Sequence, residues 1–164
     1  KAVYNGAWEK NWGFVPMTDE EFDQLGKDLK MILNTDLVLF AEVNGEPVGF
    51  CITVPDANQA IKKANGRLTT FGLPIGLVKM MLELKRIKSG RLIALGIRKE
   101  YRKRGIDSVL MKETFEVGKK LGWTGGEIGW TLEDNDMVNR PIELFGAKKY
   151  KKYRVYGKQL TPKN

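Results

Sequence analysis

Three consecutive cations and a glycine separate an apolar, strand-like run from an amphipathic, helix-like run. The stretch from Arg91 to Leu110 reads RLIALGIRKEYRKRGIDSVL, in which Arg102, Lys103 and Arg104 directly precede Gly105. The first turn of a helix carries unpaired N–H groups and about half a positive charge, and glycine lets a ligand approach the backbone closely. This order of residues predicts a site for a phosphate group, with a pyrophosphate as the natural guest. Basic residues beside glycine are also common at ordinary strand–helix junctions. The neighbouring elements must therefore show whether this junction is a phosphate site or only a surface turn.

Composition removes several kinds of chemistry. The 164 residues contain no His and one cysteine, Cys51. The usual zinc sites, His-based catalytic triads and an intramolecular disulfide are therefore excluded, and a reducing, cytoplasmic location is expected. The net charge of +8 suits an anionic ligand without choosing among a nucleotide, a nucleic acid and a membrane surface. No run approaches the ~20 apolar residues that cross a bilayer, and no membrane partner is expected.

The first half of the chain contains clear helix and hairpin signals. Thr18 and Glu21 have the spacing of a capping box, and apolar residues at helical intervals predict a helix over about 19–33. Strand-like runs at 37–43 and 48–54 flank Asn44-Gly45, the dipeptide most typical of a tight hairpin turn.

The second half alternates strand and helix signals after a long irregular segment. Residues 55–89 contain two helix-like stretches, at 56–64 and 74–88, and long insertions of this kind are often functional. The later elements are predicted as a strand at 91–97, a helix at 105–121, a strand at 127–132, a helix at 135–144 and a terminal strand at 150–156. This order indicates a mixed α/β fold on one central sheet.

Residues 91–156 resemble the GNAT N-acetyltransferase superfamily, which transfers an acyl group from acetyl-CoA to an amine. Its acyl-CoA loop, Gln/Arg-x-x-Gly-x-Gly/Ala, is matched by Arg102 to Asp107 except that Asp107 replaces a small residue. Asn135 opens a short helix that leads to Leu144-Phe145-Gly146-Ala147, similar to the family's Leu-Gly-Phe turn, and Ala94 to Ile97 precede the loop at the family's usual distance.

The resemblance implies a GNAT-like fold of the mixed α/β (α+β) class. We expect a central mixed, mostly antiparallel sheet flanked by helices, in a single domain over 1–164. Residues 55–89 are expected to form a helical insertion between the third and fourth family strands. Since residues 1–17 look poorly suited to supply the family's first strand and helix, we expect the chain to be part of a longer one that lacks its N-terminal region.

The resemblance also implies acetyl-CoA as the cofactor and assigns residues to it. The strand residues would pair with the pantetheine arm, with Gly96 at a bulge, and the loop and first helical turn would hold the pyrophosphate. Two asparagines would bond the pantetheine or the phosphates, although capping of the helix is the alternative for both. The assigned residues are Leu95, Gly96, Ile97, Arg102, Lys103, Arg104, Gly105, Ile106, Asp107, Ser108, Asn135 and Asn139. The carboxylate of Asp107 would repel a pyrophosphate unless it points away, which makes a structural role in the first helical turn the favoured interpretation.

Catalytic groups are harder to assign. Many family members protonate the leaving thiolate with a tyrosine at the position that Ile142 occupies here. Glu133, at a predicted strand end, is the candidate general base, with ordinary solvated charge as the alternative. The predicted function is transfer of acetyl from acetyl-CoA to a primary amine by direct attack. The expected partner is an amine-bearing acceptor of unknown class, together with a homodimer mate or a missing N-terminal domain.

Two other functions stay open at this stage. A CoA-binding GNAT-fold protein with weak or no catalysis would fit the absent tyrosine and the presence of Asp107. A nucleic-acid-binding module would use the interleaved cations and tyrosines from Lys148 to Arg154, although no known nucleic-acid motif accompanies them, and nucleic acid is the less expected partner.

Overall fold

A computed structural model describes residues 1–8, 14–30 and 32–159. Within these ranges the chain forms six α-helices and four β-strands. The helices are α1 (Ala2–Trp8), α2 (Asp19–Lys30), α3 (Asn58–Lys63), α4 (Ile75–Leu84), α5 (Ile106–Lys120) and α6 (Asp136–Leu144). The strands are β1 (Val38–Val43), β2 (Glu46–Pro55), β3 (Ser89–Ile97) and β4 (Gly125–Ile128).

Short-range sequence signals produce the local structure that they predict. The Thr18 N–H donates to Glu21 Oε2 over 2.9 Å, and the Glu21 N–H donates to Thr18 Oγ1 over 3.2 Å, so the capping box starts α2. Asn44 and Gly45 both have positive φ, 54° and 82°, as the tight turn between β1 and β2 requires. The helices predicted at 56–64 and 74–88 are present as α3 and α4.

The four strands form one sheet in the order β1-β2-β3-β4. The first two pairings are antiparallel, whereas β3 and β4 run parallel and are joined by α5. A parallel pair needs such a crossover, because the chain must return to the same end of the sheet. The expected mixed, mostly antiparallel sheet flanked by helices is confirmed.

Strand β3 contains a bulge at Ile93. Ile52 pairs with Ala94 and Thr53 pairs with Leu92, so Ile93 has no partner on β2. The prediction of a bulge at Gly96 is wrong, because Gly96 pairs regularly with Phe50 and is small for another reason. A Cβ at Gly96 would lie 2.6 Å from the Phe50 ring and 2.9 Å from Ala7 Cβ, so glycine there lets α1 approach the sheet.

Helices cover the sheet on both sides. On one side α5 packs Leu110 and Met111 against Cys51 and Leu92, which form the buried core cluster. On the other side α1 places Trp8 edge-on against Phe50, with ring centroids 5.6 Å apart. This second packing accounts for Tyr4 and Trp8, which lie in α1. Phe14 lies outside the helix, with its ring centroid 5.9 Å from that of Tyr4, and the described residues before Asp19 contain no strand.

Two strand predictions are wrong near the C-terminal end. Strand β4 ends at Ile128 instead of reaching residue 132, because the chain leaves β3 at Gly129. Residues 150–156 form no strand: the side chains stay exposed and the segment has no strand partner in the described part of the chain. The tyrosines recur at every third position, 150, 153 and 156, so an extended chain would divide them between its two faces and give neither face a continuous apolar surface to bury. No helix in the described ranges is long and apolar enough to cross a membrane.

Candidate functional site

The parallel strands β3 and β4 separate after a short pairing and leave a cleft. They pair from Ser89–Gly125 to Leu92–Ile128, and the Gly129 N–H then donates to the Leu92 carbonyl over 2.8 Å. Beyond this point the strands diverge around a cavity of about 350 Å³. Its walls include Trp8, Arg91, Ile93, Leu95, Trp130 and Asn135. The bulge residue Ile93 thus lies at the point where the cleft opens.

Backbone groups of β3 face this cleft. The Arg98 N–H donates to the Val48 carbonyl over 2.8 Å and so points toward β2. Because N–H and C=O groups alternate sides along a strand, those of Gly96 also point toward β2, and those of Leu95 and Ile97 point toward the cleft. Within the described chain β4 does not reach them, so the Leu95 N–H and C=O are available to an extended ligand.

The basic loop turns sharply before α5. Lys103 and Gly105 have positive φ values of 61° and 76°, and Gly105 is the N-cap residue of α5. The first helical bond runs from the Val109 N–H to the Gly105 carbonyl over 3.1 Å. The N–H groups of the preceding turn, at 106–108, have no intrahelical partner, and Gly105 has no side chain to cap them. A left-handed turn followed by free helical N–H groups forms a concave anion site.

The three cations of the loop have different surroundings. The Arg102 guanidinium donates to the Ile97 carbonyl (3.1 Å) and to the Ala7 carbonyl (2.7 Å). It therefore ties α1 to the end of β3, which makes Arg102 a positioning residue. The Arg104 guanidinium lies over the Tyr101 ring at 5.0 Å from its centroid, and Lys103 is exposed. Contacts of these residues with a cofactor stay predictions.

The two asparagines also differ. Asn135 is the N-cap residue of α6 but its side chain makes no capping hydrogen bond, and it lines the cleft. Asn139 accepts a hydrogen bond from Thr131 and donates to the Leu132 carbonyl over 3.0 Å. Its amide holds the segment after β4 on α6. Asn135 is thus the asparagine with an amide available to a ligand.

The predicted acid–base residues are poorly placed for proton transfer. Glu133 is exposed, bonded to Lys152 and 3.7 Å from Arg154, and the hydrogen bond from Lys152 lowers its pKa. A carboxylate held in this way is a weaker base than a free one, so its assignment as general base stays a prediction that these contacts do not favour. Ile142 packs against the core cluster. Tyr150 is exposed, and its hydrogen bond to Glu127 raises its pKa, which weakens it as an acid.

Some cleft residues were not identified from the sequence. Trp8 reaches the cleft from α1, Arg91 from β3, and Trp130 and Thr131 from the segment after β4. Trp130 is 84% exposed. Arg91 could have been suspected, since it lies on the strand that precedes the loop. Trp8 gave no signal, because its position depends on how α1 docks.

The cleft between diverging strands and the loop at the start of α5 are features of one class of protein. The chain matches the GNAT family of acetyltransferases over residues 2–140 and belongs to that family. The predictions that it is an acetyltransferase-class protein and that CoA is its cofactor are confirmed at the level of the family.

Individual relatives are similar over the whole described fold. The chain is 37% identical to a protein named bacterial ceramide synthase from Caulobacter vibrioides, over 96% of this chain and 42% of that protein. It is 33% identical to protein YghO of Escherichia coli, over 98% of this chain and 42% of that protein. It therefore spans less than half the length of both. The structure of AAC(6')-Iy in complex with the bisubstrate analogue CoA-S-monomethyl-acetylneamine superposes with a TM-score of 0.58 at 14% identity, covering 97% of this chain and 91% of that one.

The residues present fit an acyl-CoA. The free N–H groups at the start of α5 suit the pyrophosphate, and the cleft-facing backbone of Leu95 suits the amide-bearing pantetheine arm. Asp107 is half-buried in the first turn of α5, where an acidic residue also stabilises the helix. Of the residues assigned to the cofactor, Leu95 and Asn135 line the cleft, whereas the side chains of Asn139 and Arg102 are engaged in hydrogen bonds within the protein.

Proposed function

We propose that the chain is an acyl-CoA-dependent N-acyltransferase that acylates a primary amine by direct attack on the thioester. The observation that carries the proposal is the cleft between β3 and β4, which opens along the same strand that leads into the loop before α5. The loop and α5 would bind the pyrophosphate, the Leu95 backbone would align the pantetheine, and the Asn135 amide would donate to it. When bound, the cofactor supplies the activated acyl group.

Chemistry at the end of the cleft would rely mainly on positioning. The neutral amine nitrogen attacks the thioester carbon, the C–N bond forms, the C–S bond breaks, and the product is an amide with free CoA. The proton lost by the nitrogen and the proton gained by the sulfur would be exchanged with solvent, because neither Ile142 nor the exposed Tyr150 is suited to donate one. Orientation of amine and thioester alone can supply much of the rate.

The acceptor that we propose is the amine of a long-chain amino alcohol. The relative named bacterial ceramide synthase supports this choice, since ceramide is the N-acylated form of such a base. The cleft agrees with it: Ile93, Trp130 and Leu132 give the opening an apolar rim, and each of these side chains is at least 43% exposed. An apolar rim beside a polar reaction centre suits an amphiphile better than a polycationic sugar.

Thiol release from acyl-CoA tests the proposal directly. We expect release, with an N-acyl product seen by mass spectrometry, when the acceptor is a long-chain amino alcohol. The control acceptor is the same long-chain compound with its amine replaced by a hydroxyl. It should give neither thiol release nor an acylated product. Acetyl-CoA and longer acyl-CoA thioesters should be compared, because the sequence predicts acetyl.

Two results would contradict parts of the proposal. Tight CoA binding without product across a broad panel of amines would favour a CoA-binding protein without catalysis. Equal or higher kcat/KM for short polar amines would leave N-acyl transfer intact but would remove the long-chain acceptor.

A further inference from the structure

The segment between β2 and β3 presents an apolar surface to solvent. On α4 five apolar side chains are at least 39% exposed: Ile75, Leu77, Val78, Met81 and Leu82. At about 100° per residue they cover a continuous arc of about 160° of the helix. The opposite side of α4 faces α3, its main packing partner in the described chain. We call this exposed surface, together with the turn at Phe71, the α3–α4 face.

Phe71 stands at the tip of this face. Thr70 and Leu73 exchange backbone hydrogen bonds of 2.8 and 3.0 Å, so Phe71 and Gly72 form a two-residue turn. Phe71 has a φ of 52° and is 98% exposed. A bulky aromatic residue rarely adopts this conformation, because the positive φ costs about 1 kcal/mol or more of free energy. In the free protein the ring is exposed, so no packing contact offsets that cost.

The turn is fixed to the helix pair. A Cβ at Gly76 would lie 1.7 Å from the Arg67 carbonyl oxygen, so the start of α4 touches the backbone before the turn. The Leu77 N–H donates to the Leu68 carbonyl over 3.0 Å. The turn that carries Phe71 is therefore tied to the first turn of α4.

Charge surrounds this apolar surface. Residues 57–88 contain seven Lys or Arg side chains and one acidic residue, Glu83, a net charge of +6 out of +8 for the whole chain. All seven cations are exposed. Two of them, Lys62 and Lys63, form the last turn of α3. The segment that carries the α3–α4 face is thus strongly basic.

We propose that the α3–α4 face docks on an anionic lipid bilayer. Phe71 and the apolar arc of α4 enter the interface between headgroups and acyl chains, and the surrounding cations contact lipid phosphates. A second copy of the chain does not fit this face, since symmetric pairing would bring +6 against +6. A nucleic acid would match the charge but would leave the aliphatic arc unused. The sequence suggested no membrane partner, and this proposal departs from that expectation.

The geometry indicates contact with the surface and not insertion across it. The ten residues of α4 extend about 15 Å, half the thickness of a bilayer core. The proposal does not rest on acyl transfer, because lipid binding is measured without acyl-CoA or acceptor.

Vesicle co-sedimentation of the whole chain tests the docking surface. We expect binding to vesicles of phosphatidylcholine with phosphatidylglycerol, and much weaker binding to pure phosphatidylcholine or at high salt. Phe71→Asn should reduce binding about tenfold through lost apolar burial. It should also keep the fold, since Asn-Gly suits this turn. Phe115→Asn, at another exposed phenylalanine on α5, is the control and should leave binding unchanged.

The contribution of charge has its own matched pair. Lys62→Gln with Lys63→Gln should reduce binding about thirtyfold, at about fivefold for each cation removed near an anionic surface. Lys119→Gln with Lys120→Gln changes two lysines in the last turn of α5 and should have no such effect.

Four results would overturn the proposal. The first is absence of binding to the anionic vesicles, and the second is equal losses in the test and control variants. The third is a dimer in sedimentation that Phe71→Asn converts to monomer, and the fourth is binding of a single-stranded oligonucleotide that outcompetes the vesicles. Either of the last two results assigns the face to another occupant.

Discussion

Two glycines at opposite ends of α5 allow a controlled test of the pyrophosphate site. Gly105 before the helix and Gly122 after it have the same φ of 76°, and a Cβ at either would find no protein atom within 4 Å. Alanine at each position therefore introduces the same backbone strain and no clash. Only Gly105 adjoins the free N–H groups proposed to bind CoA.

The expected losses of stability and of CoA affinity follow from this comparison. Alanine in the left-handed region costs roughly 1–2 kcal/mol. Each variant should thus unfold several degrees below the wild type, since 1 kcal/mol lowers Tm by about 2–4 °C at this chain length. Lengthening one charge-assisted hydrogen bond to the pyrophosphate costs about 1.5–3 kcal/mol more. Gly105→Ala should therefore weaken CoA binding about ten- to a hundredfold, and Gly122→Ala should leave it nearly unchanged.

Two measurements are needed for each variant: the free energy of unfolding by urea titration and the Kd for CoA by calorimetry. Equal losses of stability with unequal losses of affinity are expected. If Gly105→Ala binds CoA as tightly as the wild type, the loop is not the pyrophosphate site. If both variants lose affinity equally, the effect comes from general destabilisation.

Further substitutions separate binding roles from structural ones. Asn135→Ala should weaken CoA binding by about 0.5–1.5 kcal/mol without loss of stability, because its side chain makes no capping hydrogen bond. Asn139→Ala should lower stability and leave CoA binding unchanged, since its amide is bonded within the protein. Calorimetry measures the binding and urea titration the stability of both variants. Arg102→Lys should destabilise the fold by about 1–3 kcal/mol, since an ammonium cannot span the two carbonyls that the guanidinium joins; an unchanged Tm would contradict this. Burial raises the pKa of the Cys51 thiol, so the native state keeps a proton that the unfolded state loses above a pH of about 8.5. Stability should fall as pH rises through that region, and Cys51→Ala should flatten the decline in urea titrations.

Features that depend on a few neighbouring residues were predictable from the sequence. Asn44-Gly45 fixes a turn because both residues tolerate positive φ, and Thr18 with Glu21 starts a helix through bonds across one turn. The position of Gly105 before α5 follows in the same way, since strand, loop and helix adjoin one another in the chain. The glycine turn into α5, on which the proposed phosphate site depends, could therefore be inferred before its surroundings were known.

Features that depend on distant partners were not predictable. Residues 150–156 are rich in tyrosine, as strands often are, but no neighbouring element in the described chain buries their side chains. Arg102 looked like a ligand for phosphate, yet its guanidinium finds two carbonyls, one of them 95 positions away on α1. The position of Trp8 in the cleft was also not predicted, because it depends on how α1 docks on the sheet. Each of these outcomes was decided by how separate elements pack.

The bulge at Ile93 changes the phase of side chains along β3. Before it, Gly90 and Leu92 face α5, since Gly90 touches Trp123 and Leu92 joins the core; after it, Leu95 faces the same helix. A single alternating pattern would assign Leu95 to the wrong side. Tolerance to substitution along this strand should accordingly follow two alternating patterns, or frames, that meet at residue 93. Before it the even-numbered positions face α5, and after it the odd-numbered positions do. Deletion of that one residue would merge the two frames into one regular alternation and leave Leu95 facing the core, so the extra residue serves the bulge at which the cleft opens and not the packing of Leu95.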